Sequence, residues 1–137
     1  VPPSANNGAV GDDAQPGQTL AIVAEALYLV NLLLVPGIAF LVLLLLYWRY
    51  IGKAPALARC HLRQVVAASL WAGGLLVFAN AVIILIGGYY SPYTWLVVVI
   101  YFTTCHTTLV LFGTMGLAKA MSGQIYRYPL IGRPCHD

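Results

Sequence analysis

Residues Thr94 to Ala120 read TWLVVVIYFTTCHTTLVLFGTMGLAKA, an apolar run carrying one polar band, Thr103-Thr104-Cys105-His106-Thr107-Thr108, near its middle. At ~1.5 Å per residue a helix of this length crosses a hydrocarbon core of ~30 Å. Six consecutive polar or ionisable residues are costly among lipid tails, so the band is expected to form a packed or functional face. The plain reading has His106 bonded to a threonine or to a neighbouring helix. The functional one makes it an axial haem ligand, for which the chain offers no second histidine at similar depth.

The rest of the chain agrees with the run. Of its 137 residues, 61% are hydrophobic and 8% charged, with a mean hydropathy of +0.83. Soluble domains carry about 25% charged residues, so this supply predicts an all-α integral membrane protein. Three transmembrane helices are expected. Leu20 to Tyr50 is an apolar run of 31 residues, ~46 Å as one helix, long and kinked near Pro36-Gly37 because proline removes a donor and crowds the preceding turn. Glu25 is placed near the outer interface and Asn31 deeper. Gln64 to Ile86 is the second span, and the stretch quoted above is the third. Residues 1–18, rich in proline, glycine and asparagine, predict a flexible periplasmic tail, held only by a neighbouring chain if ordered, ahead of a single three-helix domain over 19–137 with a short C-terminal segment.

Charge supplies a topology. Arg49, Lys53, Arg59 and Arg63 flank the first connection, whereas Gly87 to Tyr93 has no charge. The positive-inside rule puts the first loop in the cytoplasm. Lys119, Arg127 and Arg133 put the C-terminal segment there too, and an odd number of spans leaves the N-terminus periplasmic. The expected protein is multi-pass, and the family resemblance given below implies a bacterial inner membrane as its location. The net charge of +3 is explained by topology, without nucleic acid.

Chemistry-bearing residues are few. Three Cys-His dipeptides, Cys60-His61, Cys105-His106 and Cys135-His136, invite a transition-metal reading, but adjacent helical residues point about 100° apart and form no claw. Cys135 and His136 can reach Cys60 and His61 only if the C-terminal segment folds back. An odd cysteine count, with two on the cytoplasmic side, predicts no disulfide. No nucleophile–base constellation or carboxylate cluster is evident, so no catalytic site and no resident cofactor are expected, with haem or a transition metal held by His106 or by the Cys/His pairs as the alternative. Helix-packing and partner contacts are assigned to Ser69 and Gly73, to Gly116 with Ala120, to Asn80 as an interhelical hydrogen bond, to Thr103, His106 and Thr107 in the band, and to the ending Tyr126-Arg127-Tyr128.

At Cys60-His61-Leu62-Arg63-Gln64, and again at Ser122-Gly123-Gln124-Ile125-Tyr126-Arg127-Tyr128-Pro129-Leu130, the chain resembles small bacterial helical membrane proteins of a domain-of-unknown-function family related to the chloroplast inner-envelope import (Tic) translocon. The likeness covers roughly Ala21 to Arg133. It departs at Ala67 and Ser69, where members often carry Asn and Gln. The resemblance implies a helical bundle without known catalytic activity whose relatives act through partners. The expectation is a non-catalytic accessory or assembly subunit in a hetero-oligomeric membrane complex; a haem- or metal-binding redox subunit and a translocation or pilus-type assembly factor are the alternatives.

Overall fold

A computed structural model describes residues 15–135, and every regular element in it is a helix. We label them α1 (Gln18–Leu33), α2 (Ile38–Tyr50), α3 (Ala56–Leu85) and α4 (Thr94–Met121), the last winding as a π-helix over Tyr101–His106. Residues 1–14, and with them most of the expected tail, lie outside the described part, as do residues 136 and 137.

The first apolar run is not a single kinked span. It is an antiparallel helical hairpin, and the turn chemistry explains why. Val30 O accepts from the backbone N–H groups of both Leu34 and Val35, and the chain then meets Pro36, which has no donor. Gly37 follows at φ 89, a value that side-chain-bearing residues rarely adopt. Its N–H donates to Asn31 Oδ1 at 3.0 Å, closing the turn. α2 then returns along α1, so that Leu43 is buried in one cluster with Ala24 and Tyr28. Gly17, just before α1, lies against Pro55 and Ala58 at the start of α3. At 16 residues, α1 is about 24 Å long, so hairpin and turn reach only part of the way along their neighbours.

Among the described residues two helices, not three, are long and apolar enough to cross a bilayer: α3 with 30 residues and α4 with 28. The ends also differ from expectation. Gln18 Nε2 donates to Met121 O at 2.8 Å, which sets the beginning of α1 beside the end of α4 rather than across the molecule from it. We call this the proximal end and the Gly87–Tyr93 turn the distal end.

The core occupies the proximal half, where Ala24, Tyr28, Leu43, Leu62, Val65, Ala68 and Tyr128 are buried together. α4 comes close to α1 because it presents glycine there: a Cβ on Gly113 would stand 2.6 Å from the Tyr28 ring. Beyond the hairpin turn only α3 and α4 continue. Their side chains there, including Ile84, Leu85, Trp95 and Leu96, are exposed.

A disulfide joins Cys60 to Cys135, with Cα atoms 5.3 Å apart, and leaves Cys105 free. The expectation of no disulfide is therefore wrong. The odd count excluded only a complete pairing, and the segment after α4 folds back along α3 to make this one.

Candidate functional site

The most concentrated chemistry lies in the proximal core, around a carboxyl group expected to be at an interface. Glu25, in the middle of α1, is completely buried, as are His61 and Gln64 on α3. Glu25 Oε1 is 2.6 Å from His61 Nδ1, and Glu25 Oε2 accepts from the Tyr128 hydroxyl. His61 Nε2 is 2.9 Å from Gln124 O. Both ring nitrogens are thus engaged, and the imidazole bridges α1 to the segment after α4.

Gln64, one turn further along α3, grips that same segment. Its Oε1 accepts from Tyr128 N at 3.5 Å and Arg133 N at 3.1 Å, while its Nε2 donates to Arg133 O and lies 3.4 Å from Cys135 Sγ. Gly116 makes room for the cluster, because a Cβ there would fall 2.7 Å from the Tyr128 hydroxyl oxygen. Burial, and after it the neighbouring Glu25 carboxyl, holds the Tyr128 hydroxyl well above the usual phenol range. That shift favours a neutral phenol donating to Glu25. The arrangement is a closed polar clasp: its acceptors and donors are matched to one another, leaving no face toward a substrate.

Several expected site residues lie elsewhere. Tyr128 belongs to the core rather than to an exposed anchor, while Arg127 is exposed and Tyr126 half-buried, its ring 5.6 Å from that of Tyr128. Gly116 and Ala120 serve contacts within this chain. Asn80 makes no bond between α3 and a packed partner helix: its Nδ2 donates to Leu76 O at 2.8 Å and its Oδ1 accepts from the Tyr89 hydroxyl at 2.5 Å, both local to the distal hairpin. The threonine band does not form a seam. Thr103 donates to Val99 O at 2.7 Å, Thr107 to Phe102 O at 2.7 Å and Thr108 to Thr104 O at 2.6 Å. Each hydroxyl is answered by its own helix, so the band tolerates exposure.

His106 lies with Ser69 and Gly73 at a second location. Between the α1–α2 turn, the middle of α3 and the π-helical stretch there is a groove of about 540 Å³, whose lining includes Asn31, Phe40, Ser69, Gly73, Tyr101 and His106. The His106 ring stands 5.1 Å from that of Phe102. No group of three or more potential metal ligands occurs among the described residues; Cys60 and Cys135 are consumed by their mutual bond, and both His61 nitrogens are occupied.

The clasp itself was missed as a site, although its parts were visible. His61, Gln64 and Tyr128 come from the two motifs that carry the resemblance, and those motifs face one another in the fold. Glu25 had no such signal, since its partner depends on the hairpin. Comparison with known proteins finds no matching family model, no matching curated protein and no matching solved structure.

Proposed function

We propose that this chain is a non-catalytic accessory or assembly subunit of a larger protein complex in a bacterial inner membrane, working through helix packing. The observation that carries the reading is the unequal division of the molecule. Its buried ionisable side chains Glu25, His61 and Tyr128 are locked in a closed clasp, while the distal halves of α3 and α4 offer bare apolar side chains such as Leu85 at 84% and Trp95 at 75% exposure. A two-helix hairpin with so little internal packing is suited to lipid and to other membrane helices.

The mean hydropathy of α3 and α4, 2.0 and 1.8 over their most apolar windows, supports insertion. Arg49, Lys53, Arg59, Arg63, Lys119, Arg127 and Arg133 flank the proximal ends of the helices or follow α4. By the positive-inside rule that end faces the cytoplasm, with both the start of α1 and the end of α4 on that side. Cytoplasmic thiols stay reduced, so the proposal expects Cys60 and Cys135 to be free thiols in growing cells and to pair on oxidation.

The test is site-specific photocrosslinking in native membranes from positions 85 and 95, followed by purification in mild detergent. A defined partner protein recovered in fixed stoichiometry from both positions is expected. Adducts only to lipid, together with a monomeric chain, would overturn the proposal.

A further inference from the structure

The groove beside the π-helical stretch holds a polar group that the fold does not use. Ser69 is 5% exposed, and its hydroxyl has no hydrogen-bond partner. A serine inside a helix ordinarily turns its hydroxyl onto the carbonyl four residues back, as Thr103, Thr108 and Thr114 do here. Ser69 does not, and it lines the groove. A buried hydroxyl without a partner is costly, and a ligand acceptor removes that cost.

Its neighbours have matching polarity. Asn31 commits its Oδ1 to the Gly37 N–H, which fixes the amide orientation and leaves Nδ2 as a donor. His106 carries a ring N–H in either tautomer. With the Tyr101 hydroxyl, four donor groups therefore line one largely apolar groove, with no carboxylate in its lining. Phe40, Tyr101 and Phe102 supply aromatic faces, and Gly73 and Gly74 leave space, since a Cβ at either would meet nothing within 4 Å. The volume lies in the ~300–1,000 Å³ range of small-molecule sites. A π-helical interruption within an α-helix is also a frequent mark of functional positions.

We propose that this groove binds a neutral lipid-phase molecule with carbonyl acceptors on a flat ring and a hydrocarbon tail, the chemical class of the isoprenoid quinones. The ring lies among the aromatic side chains, a carbonyl oxygen accepts from Asn31 Nδ2 and the His106 ring N–H, and a turn of Ser69 about its Cα–Cβ bond brings its hydroxyl, closed off in this rotamer, to the same oxygen. The tail leaves past the exposed Leu70 and Val77. This goes beyond the accessory role and does not depend on it, because the site lies within the single chain.

The experiment is binding of a decyl-substituted para-benzoquinone to the purified full chain in lipid nanodiscs, by equilibrium dialysis against empty discs. Saturable binding of one equivalent is expected. Ser69→Ala and His106→Phe should each weaken it roughly two- to ten-fold, the range of one neutral hydrogen bond. Gly73→Leu, whose Cβ meets nothing within 4 Å and whose side chain occupies the groove, should abolish it. Partition equal to that of empty discs, or affinities unchanged in all three variants, would overturn the proposal. Decanoyl glycerol tests the other source of a carbonyl with a tail, an acyl-ester lipid, and competition by it as strong as by the quinone would overturn the assignment of a ring. Should a variant lose its fold by circular dichroism, a photoreactive azidoquinone on the unaltered chain decides: adducts within residues 66–77 and 101–106 support the site, and adducts confined elsewhere refute it.

Discussion

The proximal and distal halves of this molecule are both rich in leucine and valine but are built differently. In the proximal half four helices and the returning C-terminal segment meet, small residues allow close approach, and a buried carboxyl is completed by an imidazole and a phenol. In the distal half two helices run side by side, their polar groups answered locally and their apolar side chains uncovered. The difference teaches that apolar residues alone do not build a core. On α3 and α4 the apolar side chains are buried where the α1–α2 hairpin covers them, as at Leu62, Val65 and Leu109, and bare toward the distal end, as at Leu85 and Leu96.

Removing the clasp should blur that contrast most. Glu25→Ala deletes the carboxyl shared by His61 and Tyr128 within the buried site, and breaking such a pair costs about 3–5 kcal/mol. Asn80→Ala, in the distal turn, should cost less than about 1 kcal/mol. Denaturant unfolding of the two variants in detergent compares them directly, and equal losses would mean that the halves do not differ in the way described.

Reducing Cys60–Cys135 should come next, loosening the segment that brings Gln124 and Tyr128 to the clasp. The bond spans 75 residues of sequence, and typical losses are about 2–4 kcal/mol. Thermal scans with and without reductant measure the effect. Protease cutting after Arg127 and Arg133 should rise on reduction, while cutting within the Gly87–Tyr93 turn should not change.

Glycine substitution sharpens the comparison by its sign. Gly116→Ala places a methyl group against the Tyr128 hydroxyl and should destabilise by about 1–3 kcal/mol. Gly74→Ala meets nothing within 4 Å and should stabilise by about 0.5–1 kcal/mol through helix propensity. Unfolding midpoints that move in the same direction would contradict the assigned packing.

The smallest effect is expected from pH. The folded state raises the Tyr128 pKa above its ordinary value of 10.0, so it favours the protonated phenol. Its contribution is complete below the unfolded value and is lost as pH rises beyond about 10 toward the folded one. The unfolding temperature should decline at alkaline pH, and Tyr128→Phe should make that decline shallower.

Much of the helical architecture was legible in the letters. Apolar runs of membrane length gave α3 and α4, the Gly-Gly-Tyr-Tyr-Ser-Pro-Tyr stretch gave their turn, and the small residues at Gly116 and Ala120 indicated close packing. The first run misled because 31 apolar residues suit one long helix or two short antiparallel ones equally well, and hydropathy has no direction. Proline announced an interruption; the bond from Gly37 N–H to Asn31 Oδ1 turned it into a reversal.

Periodicity, charge and composition by themselves determined which segments are helical and which carry the basic residues, because those properties act over a few turns of chain. Which groups touch was decided only by tertiary structure. Glu25 and His61 are separated by 36 residues, and Glu25 and Tyr128 by 103. Such contacts follow from the path of the whole chain: one turn at Pro36-Gly37 carries the N-terminal helix to the basic end, and a returning segment seals it there.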